Sequence, residues 1–141
     1  MLLTNDKSKC QKNQKIIVSK DKGTSREHRA NNPEGKYDVR QYKLDGEVVK
    51  QKKCCDFLVL NDSLKKAYYI ELKGSNIDEA IPQLQEAVKM CSIELPEYQV
   101  LYRIVCSKVL THKVRSNAFR KFEAKIGDAL KYKSNILEED L

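Results

Sequence analysis

Apolar and polar positions along this chain fall into short runs whose spacing switches between two and 3.6 residues, so strands and helices share the sequence. Residues 1–14 are polar and rich in lysine and read as a frayed tail. Lys15-Ile16-Ile17-Val18 reads as a short strand. Residues 19–35 carry Gly23, Asn31-Asn32-Pro33 and Gly35, a loop-forming composition around a short helix expected at Ser25–Ala30. Tyr37–Leu44 alternates in a weakly strand-like way, and Asp45-Gly46 is the strongest hairpin signal in the chain. Glu47–Lys53 is then expected as the return strand, running on toward Cys54–Leu60.

Two runs read most clearly as strands. Cys54–Leu60 and Ala67–Lys73 are short, apolar, rich in aromatic and branched residues, and bounded by the turn chemistry of Asn61-Asp62-Ser63 and by Gly74. The period then changes. Ile77, Ala80, Ile81, Leu84, Ala87, Val88 and Cys91 line one face of a helix, with Asn76 and Glu79 placed as a capping box. Pro82 inside that pattern predicts a kink or a late start. Tyr98–Leu110 reads as a long strand. A last helix is expected over about Val114–Tyr132, with Phe119, Phe122 and Ile126 on its apolar face.

The step from Ala67–Lys73 through the helix to Tyr98–Leu110 has the length of a right-handed βαβ crossover. The expected fold class is therefore α/β in the α+β sense. It has a mixed central sheet, an antiparallel meander followed by a βαβ crossover, and helices packed on the sheet. One domain is expected over 15–133, between a flexible basic tail (1–14) and a solvated acidic tail (134–141) that holds Glu138-Glu139-Asp140.

Composition narrows the classes. The chain has 141 residues, 40% hydrophobic and 33% charged, which fits about one globular domain. No apolar run approaches the roughly 18 residues that cross a bilayer, and the start lacks the apolar stretch of a signal peptide. No membrane partner and a cytoplasmic location are expected. The five cysteines form no CxxC pair, which argues against a disulfide framework or a structural zinc site. Net charge is +7, and its distribution matters more than its size. Residues 1–55 hold 14 Lys/Arg against 7 Asp/Glu, whereas residues 56–141 hold 13 of each. A basic segment of this kind suits a polyanion, with nucleic acid the usual partner.

The chemistry concentrates on the two clearest strands. The midpoint of Asp56 and Glu71 falls in the turn between them, so a symmetric hairpin sets the two carboxylates opposite each other, Cβ atoms about 5 Å apart. Like charges so placed near a sheet core are unfavourable unless a cation lies between them. Mg²⁺, which takes a few carboxylate oxygens plus waters and phosphate oxygens, resolves that conflict. Lys73, two residues beyond Glu71, shares its face. An ammonium there can orient or deprotonate an attacking water, or stabilise charge on phosphorus.

These residues resemble the PD-(D/E)xK nuclease superfamily. Asp56 at the head of one strand, a turn, then Glu71-Leu72-Lys73 ending the next match its motif, and the following helix, strand and helix match its core order over about 37–130. The position before Asp56 is Cys55 rather than proline. The resemblance implies Mg²⁺, with Mn²⁺ able to substitute, held by Asp56, Glu71 and the Leu72 backbone carbonyl, and Lys73 acting on the water. It also implies a further acidic residue, for which Glu27 is the candidate, ahead of Glu34 and Asp38. The resulting expectation is a nuclease hydrolysing phosphodiester bonds, DNA ahead of RNA, needing a homodimer or partner protein to cut both strands.

Around this centre, Lys50, Lys52, Lys53, Gln83, Arg115 and Arg120 are candidates for nucleic-acid contact. Edge protection is an equal alternative for the three lysines, and a solvated helix face for the arginines. His28 and His112 are isolated and read as surface residues. The alternative to catalysis is a noncatalytic nucleic-acid-binding or assembly protein on the same fold.

Overall fold

The computed structural model describes residues 1–74, 76–107 and 116–141. Among the described residues, eight strands form two sheets: β1 (Ile16–Lys20), β2 (Glu27–Asn31), β3 (Val39–Lys43), β4 (Phe57–Asn61), β5 (Lys66–Lys73), β6 (Gln99–Cys106), β7 (Leu130–Ser134) and β8 (Ile136–Asp140). Two helices join them, α1 (Ala80–Cys91) and α2 (Asn117–Ile126). The larger sheet has the order β3-β4-β5-β6-β7, antiparallel through β5 and parallel from β5 to β7. The smaller sheet has the order β1-β2-β8, with β8 parallel to β2. The mixed sheet, meander, βαβ crossover and packed helices match the sequence expectation.

The larger sheet is buried on both faces. Leu58, Leu60, Tyr69 and Ile104 pack with Leu84, Ala87 and Cys91 of α1 and with Phe119 and Phe122 of α2. Phe57, Val59, Tyr68, Ile70, Leu72 and Val105 pack instead with Ile17, Ala30 and Leu137 of the smaller sheet. The result is three layers, with helices on one side of the central sheet and the second sheet on the other. This explains why β4 and β5 read as near-continuous apolar runs rather than alternating ones.

Several local expectations are corrected. Ser25–Ala30 is not helical: Glu27–Asn31 is β2, the middle strand of the smaller sheet, flanked by β1 and β8. Glu47–Lys53 is not a return strand. Asp45-Gly46 does turn the chain, with Gly46 at φ 90°, yet only an isolated Asp45–Val49 bridge follows. Val48 and Val49 then tuck into the core, Lys50, Lys52 and Lys53 stay in solvent, and β3 pairs with the more apolar β4. Pro82 produces a late start rather than a kink. A 3-10 turn spans Ile77–Glu79, and α1 begins at Ala80, so Pro82 sits in the first turn, where the N–H that proline lacks is not needed for the helical ladder.

The last helix stops at Ile126, because Gly127 adopts φ 63° and Leu130–Ser134 is edge strand β7. The expected helical positions Val114 and Arg115, and the expected strand positions 108–110, lie outside the described residues. The acidic tail is not a tail: Ile136–Asp140 is β8, with Leu137 buried. Nor is the N-terminal segment simply frayed. Leu3 is buried, and the N–H groups of Leu2 and Leu3 donate to the Glu94 carboxylate at 2.8 and 3.1 Å. Among the described residues, no helix is long and apolar enough to cross a membrane.

Candidate active site

The site is built by the β4–β5 hairpin. Leu64 N donates to Asn61 Oδ1 at 3.0 Å and Lys65 takes a positive φ, which sets a tight turn and an even register. Phe57 pairs with Ile70, so the next positions outward, Asp56 and Glu71, face each other as the symmetric hairpin requires. Asp56 N donates to Glu71 Oε1 at 3.2 Å, and Leu72 N donates to Asp56 Oδ2 at 2.8 Å. Each carboxylate is thus tied to the opposite strand's backbone or side chain. Glu71 points to the helix side of the sheet and is only 3% exposed, while Asp56 is half-buried.

Burial governs the electrostatics. It pushes the Glu71 carboxyl up to about 9, and the neighbouring Asp56 charge and a hydrogen bond to Asp56 push in the same direction. Burial also raises Asp56, against the Leu72 N–H and the hydrogen bond from Glu71 that favour its charged form. Without a cation, then, burial and the neighbouring carboxyl favour the protonated form of Glu71. Two adjacent carboxyls whose charged forms burial disfavours are a donor set suited to a hard divalent cation. Asp56, Glu71 and the Leu72 carbonyl are the groups that would hold one. Among the described residues, no group of three or more carboxylate, imidazole and thiol side chains forms a metal cage. Mg²⁺ does not need one, because it keeps waters and takes phosphate oxygens. Cys54 and Cys55 are buried nearby, and burial raises both thiols, Cys54 to about 12, so neither supplies a thiolate.

Lys73 lies on the same face as Glu71. Its Nζ stands 3.7 Å from Glu71 Oε2, 3.1 Å from Glu79 Oε2 and 3.3 Å from Gln83 Oε1, to which it donates. The 3-10 turn and the first turn of α1 therefore hold the ammonium from above while Glu71 holds it from the strand. Gln83, Glu79, Glu86, Pro82, Lys52 and Lys53 line an open groove of about 580 Å³ beside this cluster. Lys50 is exposed on the same loop as Lys52 and Lys53, and Arg120 is exposed on α2. Arg115 lies outside the described residues, as does His112. His28, expected on the surface, is fully buried and bonds Glu139 Oε2 at 2.7 Å.

Glu27 faces a different partner. Arg29 Nε donates to its Oε2 at 2.9 Å, an ion pair within β2. The acidic residue whose charge reaches Asp56 is instead Asp21, just after β1, which also pairs with Lys43 at 3.7 Å. Sequence reasoning missed Asp21, because nothing local signals that the chain leaving β1 returns to the β4–β5 hairpin. Glu79 was legible only as half of a capping box, and that box does not form: neither Asn76 nor Glu79 makes a side-chain cap bond, and the two side chains bond each other instead, Asn76 Nδ2 donating to Glu79 Oε1 at 3.0 Å.

Fold and site together define a mixed-sheet α+β domain with two facing carboxyls and an adjacent lysine on its central hairpin. No family model, curated protein or solved structure matches the chain.

Proposed function

We propose that this chain is a Mg²⁺-dependent nuclease that hydrolyses phosphodiester bonds, DNA ahead of RNA, in the cytoplasm. The observation that carries the reading is the pairing of Asp56 with a buried Glu71 beside Lys73. Three ionisable groups at the edge of an apolar core are unfavourable for folding alone and suited to holding a cation against a phosphate. A bound divalent ion would polarise the phosphorus centre and lower the pKa of a bound water. Asp56, Glu71 and the Leu72 carbonyl would hold that ion. Lys73, anchored by Glu79 and Gln83, places its ammonium next to the reacting phosphate. The basic loop at Lys50, Lys52 and Lys53 and the groove it lines supply nonspecific backbone attraction. A single site of this kind serves one strand, so cutting a duplex calls for a second copy or a partner protein.

The test is cleavage of single-stranded, double-stranded and branched DNA and of RNA in Mg²⁺, Mn²⁺ and EDTA. Asp56→Asn and Glu71→Gln should abolish metal-dependent cleavage and keep nucleic-acid binding. Lys73→Met should lower it by roughly 10²- to 10⁴-fold. Salt-dependent binding with no cleavage in any metal would instead establish a noncatalytic nucleic-acid-binding protein.

A further inference from the structure

The N-terminal segment and the loop after β3 enclose a second groove. Leu3 is buried, and the N–H groups of Leu2 and Leu3 are tied to the Glu94 carboxylate. Lys9 N donates to Gln41 O at 2.7 Å, and Lys9 Nζ pairs with Glu47 at 2.7 Å. These bonds strap residues 2–9 along the loop that holds Glu47 and Lys52. Between strap and loop lies an open groove of about 460 Å³. Of its lining residues, Val48 and Val49 are buried and Leu2 is half-buried, so its base is apolar. Lys7, Lys50 and Lys52 also line it and are exposed, so its rim is basic.

The charge of that rim is unbalanced. Glu47, the acidic residue of the lining, is already held by Lys9. Lys52 stands 3.5 Å from Glu86, and its side chain is still 65% exposed. Lys7 and Lys50 have no carboxylate ion-pair partner among the described residues. Exposed lysines gathered on one rim repel one another, and a polyanion relieves that repulsion. Lys52 also lines the groove beside Lys73, so the two grooves meet at this residue. Together they form a track from the carboxylate–lysine site, past Lys53 and Lys52, to Lys50 and Lys7. An apolar base between lysines suits an unpaired strand, which can turn its base faces inward while its phosphates meet the rim. A duplex keeps its base faces stacked inside and would leave the apolar base unused.

We propose that a single strand of nucleic acid follows this track, its phosphates on Lys52, Lys50 and Lys7 beyond the one at Lys73. The binding of a single strand stands on the groove itself, and only its continuation through the Lys73 site rests on the nuclease reading.

The experiment measures binding of fluorescently labelled single-stranded DNA of increasing length, and of the matching duplexes, to the full chain in EDTA. Lys7→Gln/Lys50→Gln is compared with Lys15→Gln/Lys36→Gln, an equal charge change at exposed positions. The comparison pair flanks the segment where Asp38 N donates to Ser63 Oγ, at the turn end of the β4–β5 hairpin and away from Asp56 and Glu71. The groove pair should weaken single-strand binding about tenfold and lower the slope of log affinity against log salt by about 1.4, from two contacts at about 0.7 each. Its affinity should also stop rising at a shorter strand length than the parent's, and the comparison pair should match the parent. Equal losses from the two pairs reduce the effect to net charge and overturn the track. So does a duplex that binds as tightly as the single strand and weakens equally. If the groove pair leaves single-strand binding unchanged and DNA is still cut in Mg²⁺, the track fails and the nuclease stands. If the groove pair weakens binding as expected and no substrate is cut in any metal, the track stands and the nuclease fails.

Discussion

Glu71 shows how burial turns one carboxyl into a sensor of its surroundings. Its ordinary value is 4.5 and its folded value about 9. Between those two the unfolded chain has released the proton and the folded protein still holds it, so metal-free protein loses stability as pH rises across that window. Glu71→Gln removes the titration and keeps the shape. The metal-free variant should be more stable than the parent at about pH 8, by on the order of 2 kcal/mol. Added Mg²⁺ should raise the parent's melting temperature and leave the variant's unchanged. Thermal melts in EDTA and in Mg²⁺ decide this, and a parent whose melting is indifferent to both pH and metal contradicts it. The Asp56–Glu71 contact was legible in the sequence because both residues lie on one hairpin, where register follows from counting outward from a turn. Asp21 and Glu79 were not, because each reaches the site from a separate element, and local pattern carries no information about such approach.

At the scale of elements, β8 is the instructive case. Three acidic residues in a row read as solvated, yet Glu139 lies between Arg103 and His28. Arg103 Nε and Nη2 donate to its carboxylate at 2.7 and 3.0 Å, and His28 Nε2 lies 2.7 Å away. Burial alone would raise the Glu139 carboxyl, but these bonds outweigh it and hold it down to about 2. The sign is then opposite to that of Glu71. The stability Glu139 contributes is present above its ordinary 4.5 and is lost as pH falls toward 2. Glu139→Gln should cost about 3 kcal/mol at neutral pH, because it leaves Arg103 without its counter-charge. The same variant should flatten the acid limb of the denaturation profile, and an unchanged limb would remove the ion pair from the account. Pro82 gives a contrasting expectation. It occupies the first turn of α1, so Pro82→Ala should shift stability by less than about 1 kcal/mol in chemical denaturation. A mid-helix proline would behave quite differently. The strong periods of β4, β5 and α1 made those elements readable. β2 and β8 were not, because His28, Ala30 and the paired Glu139 break any apolar alternation, and β7 was not, because Leu130 is its one buried residue.

At the scale of the molecule, the three-layer arrangement leaves the carboxylate–lysine cluster on the helix side of the central sheet. The sequence pattern predicted the central sheet and its helices and missed the second sheet, whose strands are short and separated by nearly the whole chain. One site per chain carries a kinetic expectation for the proposed activity. On supercoiled plasmid, nicked circles should build up before linear product, and linearisation should rise more steeply with protein concentration than nicking does. Gel analysis over time and concentration tests this, and linear product appearing without nicked circles would point to two sites acting together.

The pairing of β2 with β8 also bears on how the chain is made. His28 and Glu139, bonded across that pair, stand 111 residues apart in sequence. During synthesis the β1–β2 hairpin is complete early, and it waits with one strand edge bare until β8 emerges. So distant a closure predicts slow folding. It also makes the seam between the two sheets the last part of the molecule to take shape.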